Sequence, residues 1–227
     1  MLKGGREIID EKTSDEEIQY YSLVRSVFNT LSPFYDILTF PFSGVRHKTV
    51  NFINAAAGSK ILDVATGTGK QAFAFAKKGY EVIGIDLTEA MLKVACKKNK
   101  YNTVKFKVAD AANLPFESNC FDVSCVSFAL HDMPLTIIEK VLKEMLRVLK
   151  PKGLIVIVDY SLPKNKIGRF LIYNFVKLYE KEYYITFIKS DFEALLKKTG
   201  VEIKGELPVL FGAGKILKGI NMKEDVR

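Results

Sequence analysis

The sequence predicts an α/β fold built around a mostly parallel sheet, and three observations carry that prediction. From about residue 15 onward, helical periods alternate with short apolar runs, the rhythm of strand–helix–strand units. The run Leu154-Ile-Val-Ile-Val158 is apolar on both faces and largely β-branched, as a central parallel strand covered from both sides must be. The run Ile61-Leu-Asp-Val-Ala-Thr-Gly-Thr-Gly69 ends in a tight glycine turn, the mark of a first strand whose carboxyl end faces a ligand.

Taken in order, strands are expected near residues 60–65, 80–85, 103–109, 121–127 and 153–160. A helix opens after the glycine turn and closes at Gly79, a natural C-terminal cap. Thr88 is placed to cap the next helix, which turns Met91, Leu92 and Ala95 inward. Residues 135–149 put Ile138, Val141, Leu142, Met145 and Leu149 on one face and Lys140, Lys143, Glu144 and Arg147 on the other, and Pro151 stops that helix. Ser190 is the expected cap of a helix through Lys198. Two apolar runs, Val201–Leu210 and Lys215–Ile220, follow around Gly212-Ala-Gly214 and read as a hairpin. The whole is a Rossmann-like, seven-stranded, mostly parallel sheet with a reversed C-terminal edge strand. It forms one domain over 1–227, with an N-terminal helical lid segment (1–55) and an insertion on the acceptor side (163–187).

Composition narrows the function classes. The chain has 227 residues, 48% hydrophobic and 26% charged, and holds no apolar span of membrane-crossing length. The polar stretch Met1 to Glu17 is unlike a secretory signal. Cys96, Cys120 and Cys125 lack metal-ligand spacing and cannot all pair, so reduced thiols, a cytoplasmic location and no metal are expected. The net charge of +8 comes from lysines spread along the chain. It is read first as a solvated surface, with attraction to nucleic acid or to an anionic membrane as the sharper alternative that charge alone does not separate from it.

The site begins with two acids. Twenty-three residues after Asp63, a second apolar run, Glu81-Val-Ile-Gly-Ile-Asp86, also ends in an acid, and Asp86 at a strand end can hold the two hydroxyls of a ribose. Ala65-Thr-Gly-Thr-Gly-Lys-Gln-Ala72 lacks the third glycine of a dinucleotide fingerprint. The third strand ends in Val108-Ala-Asp110-Ala111, an acid and a small residue that can meet an adenine amino group.

The blocks DVATGTG (63–69), VIGIDLTEAML (82–92), VADAANLPFESNCFDVSCVSFAL (108–130) and RVLKPKGLIVIVDYS (147–161) resemble, in order and spacing, the class I S-adenosylmethionine-dependent methyltransferases. The segment Val24–Leu38 and Ser127-Phe-Ala-Leu-His-Asp132 are similar to the ubiquinone/menaquinone-biosynthesis methyltransferases. The resemblance implies S-adenosyl-L-methionine as cofactor, with contacts at Thr68, Asp86, Asp110, Ala111 and Ser127. Beside these, Gly67 and Gly69 allow close backbone approach, or only make the turn. Ala65 belongs to the same turn. Leu87 and Met91 can sandwich adenine, Met91 equally serving the core, and Asp63 can orient the loop amides or the cofactor's ammonium.

The acceptor implied is small and apolar or amphiphilic: quinol-like, lipid or another metabolite. RNA or protein methylation is the second enzymatic alternative. Against it, the chain shows no appended recognition domain, no aromatic-rich basic strip and no Asn/Asp-Pro-Pro-Tyr motif, so no nucleic acid partner is expected. A non-catalytic cofactor-binding regulator is the third. Where the quinone enzymes carry an Arg-Asn pair, this chain has His131-Asp132, and where they follow glycine with an acid it has Gly69-Lys70. His131 is either a general base, since an ordinary imidazole titrates near neutrality, or a helix-start residue beside an Asp132 cap. Tyr35, with Asp36, Tyr20 and Tyr21, is expected in a lid; the alternative is aromatic packing of a docked helix. Within 163–187, Ile167, Phe170, Leu171, Phe175 and Leu178 form an apolar stripe opposite a basic face. That stripe suits a pocket wall, packing on the sheet, or peripheral contact with a membrane. Nothing in the sequence fixes an oligomeric state.

Overall fold

The computed structural model describes residues 4–163 and 182–223. Three helices precede the sheet: α1 (Gly4–Leu31), the single turn α2 (Tyr35–Leu38) and α3 (Ser43–Ile53), with a 3-10 turn at Phe40–Phe42. There follow β1 (Lys60–Val64), α4 (Lys70–Lys77), β2 (Glu81–Asp86), α5 (Glu89–Lys98), β3 (Val104–Val108) and β4 (Phe121–Ser127). After a 3-10 turn at Leu130–Asp132 come α6 (Leu135–Val148), β5 (Leu149–Tyr160), α7 (Glu182–Lys189), α8 (Phe192–Lys198), β6 (Val201–Val209) and β7 (Gly214–Asn221). The stripe at Ile167–Leu178 lies outside the described residues.

The strands form one seven-stranded sheet in the order β3-β2-β1-β4-β5-β7-β6. β1 to β5 pair in parallel, and β7 runs antiparallel to both β5 and β6. The predicted class stands, with one correction. The reversed strand is not at the edge but second from it, and the edge strand β6 runs with the parallel set. The hairpin turn leaves open which strand sits inside; side chains decide. β7 buries Ile216 and Leu217 completely, whereas β6 alternates buried and wet positions and carries Pro208, which suits an edge that needs no inward donor.

Alternation along the inner strands feeds two cores. Leu62, Val64, Ile155 and Ile157 pack with α6 residues and with Phe187, Phe192 and Leu196 on one face. Ile61, Val123, Cys125, Val156 and Val158 pack with α3 and α4 on the other. Covering from both sides explains why these strands read as unbroken apolar runs.

Several expected details change. Asp191, not Ser190, caps α8: its carboxylate accepts from the Ala194 amide, while Ser190 Oγ donates to the Phe187 carbonyl and closes α7. Thr88 precedes α5 without a side-chain cap, and Asp86 Oδ1 accepts from the Thr88 amide instead. On α6, Glu144 and Arg147 do more than face water. Arg147 donates to Glu144 and to the carbonyls of Phe116 and Leu114, and Glu144 accepts from the Leu114 amide, so the helix clamps the loop after β3.

Candidate active site

The carboxyl ends of β1, β2, β3 and β4 converge, where ligands bind in open α/β sheets. The chain turns sharply there. Ala65 (φ 52°) and Phe128 (φ 51°) adopt left-handed backbone at the ends of β1 and β4, conformations that non-glycine residues keep mainly where function demands them. Gly67, at φ 55°, donates its amide to Asp86 Oδ2 at 2.8 Å. Burial pushes the Asp86 carboxyl up, against the amides of Thr88 and Gly67. Asp110 accepts from the Ala112 amide through Oδ1 and from the Tyr21 hydroxyl, at 2.8 Å, through Oδ2.

Asp63 lies beneath the turn, buried, and accepts from Thr66 Oγ1 at 2.5 Å. Desolvation outweighs that bond and the Ala72 amide and pushes Asp63 up to about 7, from 3.8. Between those two values the folded protein holds a proton that the unfolded chain has released. The group's contribution to stability is therefore full in acid and is lost as pH rises toward 7. Asp63→Asn is expected to flatten this slope. Urea melts across that range check it, and equal slopes in the two proteins would contradict it.

Two cavities share Tyr35, Ala65, Gly67, Phe128 and Asp132 in their walls. The first, about 80 Å³, adds Asp86, Leu87, Met91, Asp110 and Ala111, with Tyr20 and Tyr21 of α1 closing it. The second, about 260 Å³, adds Asp63, Thr68, Ser127 and His131. All the sequence-predicted site residues but one therefore meet here. The exception is Gly69, at φ 81°, where an added Cβ would sit 2.8 Å from Phe106 Cζ and 3.0 Å from Phe73 Cζ. Gly69 starts α4 and admits that aromatic packing.

The N-terminal segment lies across the glycine turn. Tyr35 Cε1 is 3.6 Å from where a Gly67 Cβ would stand, and burial pushes its hydroxyl up to about 12. Asp36 is the latch. It accepts from Thr68 Oγ1 at 2.6 Å and from Lys98, while Lys70 donates to its carbonyl at 2.9 Å and pairs with its carboxylate at 3.4 Å. Partial burial opposes ionisation, but the bonds from Lys98 and Thr68 prevail and hold Asp36 below the usual carboxylate range. The unusual Lys70 thus has a structural partner in this segment.

His131 is 6% exposed and sits in the 3-10 turn after β4. Asp132 makes no cap for α6, whose N-terminal flank is Pro134. The functional residue missed by sequence reasoning is Asp159, buried at the end of β5. Its Oδ1 lies 2.7 Å from His131 Nδ1 and accepts from the Tyr160 amide, and its Oδ2 accepts from the Leu130 amide at 3.0 Å. A carboxylate at Nδ1 fixes the proton there and leaves Nε2 as the basic nitrogen. Nε2 lies 3.6 Å from Asp132 Oδ2. The ring packs edge-on against Tyr160 (4.6 Å) and Tyr184 (5.8 Å). The available signal was a charged residue closing a central apolar strand. A second omission is Arg46, half-buried in the larger cavity, whose guanidinium donates to the Thr39 carbonyl at 3.4 Å and has no carboxylate at ion-pair distance among the described residues.

Comparison with known proteins gives the family and the fold. The profile of the ubiE/COQ5 methyltransferase family matches residues 12–182. The demethylmenaquinone methyltransferase of Paenarthrobacter aurescens is 35% identical over 164 residues, covering 70% of this chain and 60% of that protein. The demethylmenaquinone methyltransferase of Staphylococcus haemolyticus is 35% identical over 193 residues, covering 78% and 77%. The chain thus spans less than two thirds of the first relative and more than three quarters of the second. The crystal structure of magnesium protoporphyrin IX methyltransferase from Synechocystis PCC 6803, with bound SAH, superposes with a TM-score of 0.69 at 18% identity, over 88% of this chain and 99% of that one, and shares the fold.

Proposed function

The chain belongs to the ubiE/COQ5 methyltransferase family, and from that premise we propose that it transfers the methyl group of S-adenosyl-L-methionine to a small, apolar, quinol-like acceptor. The observation that carries the reading is the joining of two unlike cavities at Gly67 and Tyr35, one lined by strand-end acids and the other by aromatics and His131.

The donor set suits the cofactor. Asp86 would hold the ribose diol, Asp110 and the Ala111 backbone the adenine edge, and Leu87 and Met91 the adenine faces. Asp63, with Arg46 in the same cavity, offers opposite charges to the ammonium and carboxylate of the methionine end. Ser127 and Thr68 stand between. Tyr20 and Tyr21 of α1 line the first cavity, and the Tyr21 hydroxyl already donates to Asp110, so Tyr21 and the adenine edge would share that carboxylate. The segment through Tyr35 acts as the lid, held by Asp36 on the glycine turn, and covers the reacting centre against water.

When bound, the cofactor supplies an electrophilic methyl on a sulfonium, which leaves the protein to bind, align and exclude water. At a ring carbon beside a phenol, the acceptor gains nucleophilicity by losing its hydroxyl proton. His131 Nε2 takes that proton, Asp159 and Asp132 stabilise the charge the imidazole acquires, and the ring carbon, once it holds the methyl, gives up its own hydrogen as a proton, which restores the aromatic ring. Phe128, Phe42 and Tyr160, whose rings contact one another, wall the acceptor.

Titration calorimetry tests the donor half. S-adenosylmethionine and its demethylated product are expected to bind, and a nicotinamide dinucleotide is not. Binding of the dinucleotide alone would overturn the proposal.

A further inference from the structure

We propose that Gln71 is a specificity-determining residue: its side-chain amide, together with the Arg46 guanidinium, recognises the carboxylate of the cofactor's methionine end and so separates S-adenosylmethionine from molecules that lack that carboxylate. The proposal rests on the cofactor reading above. It adds the residue by which the larger cavity tells an amino-acid end from a simple amine.

The observation is a donor without an acceptor. α4 turns Gln71, Ala72, Phe75 and Ala76 inward. Three of these are apolar, as a covered helix face requires, and the glutamine is the exception. Gln71 is 5% exposed, and its Nε2 has no hydrogen-bond partner among the described residues. Leaving a buried donor unmade carries the full desolvation cost of that group, so each such atom calls for an explanation. Thr88 Oγ1, Ser124 Oγ and Thr136 Oγ1 share this state, but their residues line neither of the two joined cavities, whereas Gln71 lines the larger one. A half-turn of a carboxamide exchanges its nitrogen with its oxygen, so Gln71 can bring a donor to either place.

The neighbours decide what the donor meets. The larger cavity joins the smaller at Ala65 and Gly67, where the methionine end would leave the ribose. Most other donors of this wall are already spent. Thr66 donates to Asp63, and Thr68 and Lys70 donate to Asp36. The first-turn amide of Ala72 also goes to Asp63, so the site is built from side chains.

Arg46 of α3 supplies the cation. One nitrogen of its guanidinium donates to the Thr39 carbonyl, and no carboxylate of the described residues stands at ion-pair distance. Burial pulls Arg46 below its ordinary value, against the attraction of Tyr35, Asp36 and Asp63, so a bound anion would favour its charge. A guanidinium, an amide donor and a carboxyl in one cavity of about 260 Å³ complement a zwitterion. The carboxylate goes to Arg46 and Gln71, and the ammonium to Asp63. An apolar ring presents no such pair of charges, which leaves the acceptor to the aromatic end at Phe128, Tyr160 and His131.

Titration calorimetry on the full chain with two ligands tests the assignment. One is S-adenosylhomocysteine. The other is its decarboxylated form, S-adenosyl-3-thiopropylamine, which keeps the ammonium and lacks only the carboxylate. The wild type is expected to bind the first at least about tenfold more tightly. Gln71→Leu is expected to lose at least about fivefold in affinity for S-adenosylhomocysteine and to bind the decarboxylated form within about threefold of the wild type. Since the amide has no partner in the free protein, Gln71→Leu should also melt no lower than the wild type. Gln71→Met, unbranched like glutamine, gives the same comparison if leucine crowds the helix face. Variants that bind S-adenosylhomocysteine as the wild type does would overturn the proposal. So would variants that melt lower and lose affinity for both ligands alike, the mark of a structural glutamine. A wild type that binds both ligands equally removes this proposal alone, and one that binds neither removes the cofactor reading with it.

Discussion

Replacing His131 with alanine is expected to lower turnover by roughly 10²–10⁴-fold while cofactor affinity changes little. The separation follows from position. His131 lines only the larger cavity, and Asp86, Asp110 and Ala111, the residues proposed for ribose and adenine, line the smaller one. The loss reflects the missing proton acceptor at the phenol. His131 is buried, so the variant will also lose stability, and turnover must be expressed per folded molecule. Asp159→Asn separates base from support. Asparagine can still accept from the Leu130 amide through its oxygen, but its NH2 group cannot accept the hydrogen bond from His131 Nδ1–H that the carboxylate accepts. Turnover is expected to fall roughly 10–10³-fold with an altered pH profile. A profile unchanged in shape, with normal turnover per folded molecule, would reduce the pair to a structural hydrogen bond.

Asp86→Ala is expected to weaken S-adenosylmethionine binding by about 1–3 kcal/mol, or roughly 5- to 150-fold, the range for losing a hydrogen-bond partner that carries charge. Two effects add. The ribose loses its acceptor, and the amides of Gly67 and Thr88, at 2.8 and 2.9 Å from the carboxylate, lose the group that shapes the turn. Titration calorimetry measures it directly. Unchanged affinity in a folded variant would remove Asp86 from the donor site. A loss confined to turnover would place it on the acceptor side.

Much of this was legible before the structure. The strand-end acids and the glycine turn lie within short stretches, so local spacing already brings Asp63, Gly67 and Asp86 to one end of the sheet. Asp159 was hidden because it lies 28 residues from His131 and only the parallel pairing of β4 with β5 brings the two together. Arg46 reads as an ordinary helix charge until the fold places it against a cavity. Gly69, open in the sequence between backbone approach to a ligand and a simple turn, lies outside both cavity walls and makes room for Phe106 and Phe73. The place of the reversed strand was open because two hairpin orders satisfy the same turn, and the burial of Ile216 and Leu217 decides between them.

The most direct measurement incubates the protein with methyl-labelled S-adenosylmethionine and a cell extract, then partitions the products between organic and aqueous phases. The label is expected in the organic phase, dependent on the protein and lost with His131→Ala. Label in the aqueous phase on RNA or protein, or organic label that persists undiminished in His131→Ala, would contradict the assignment of an apolar acceptor activated by His131.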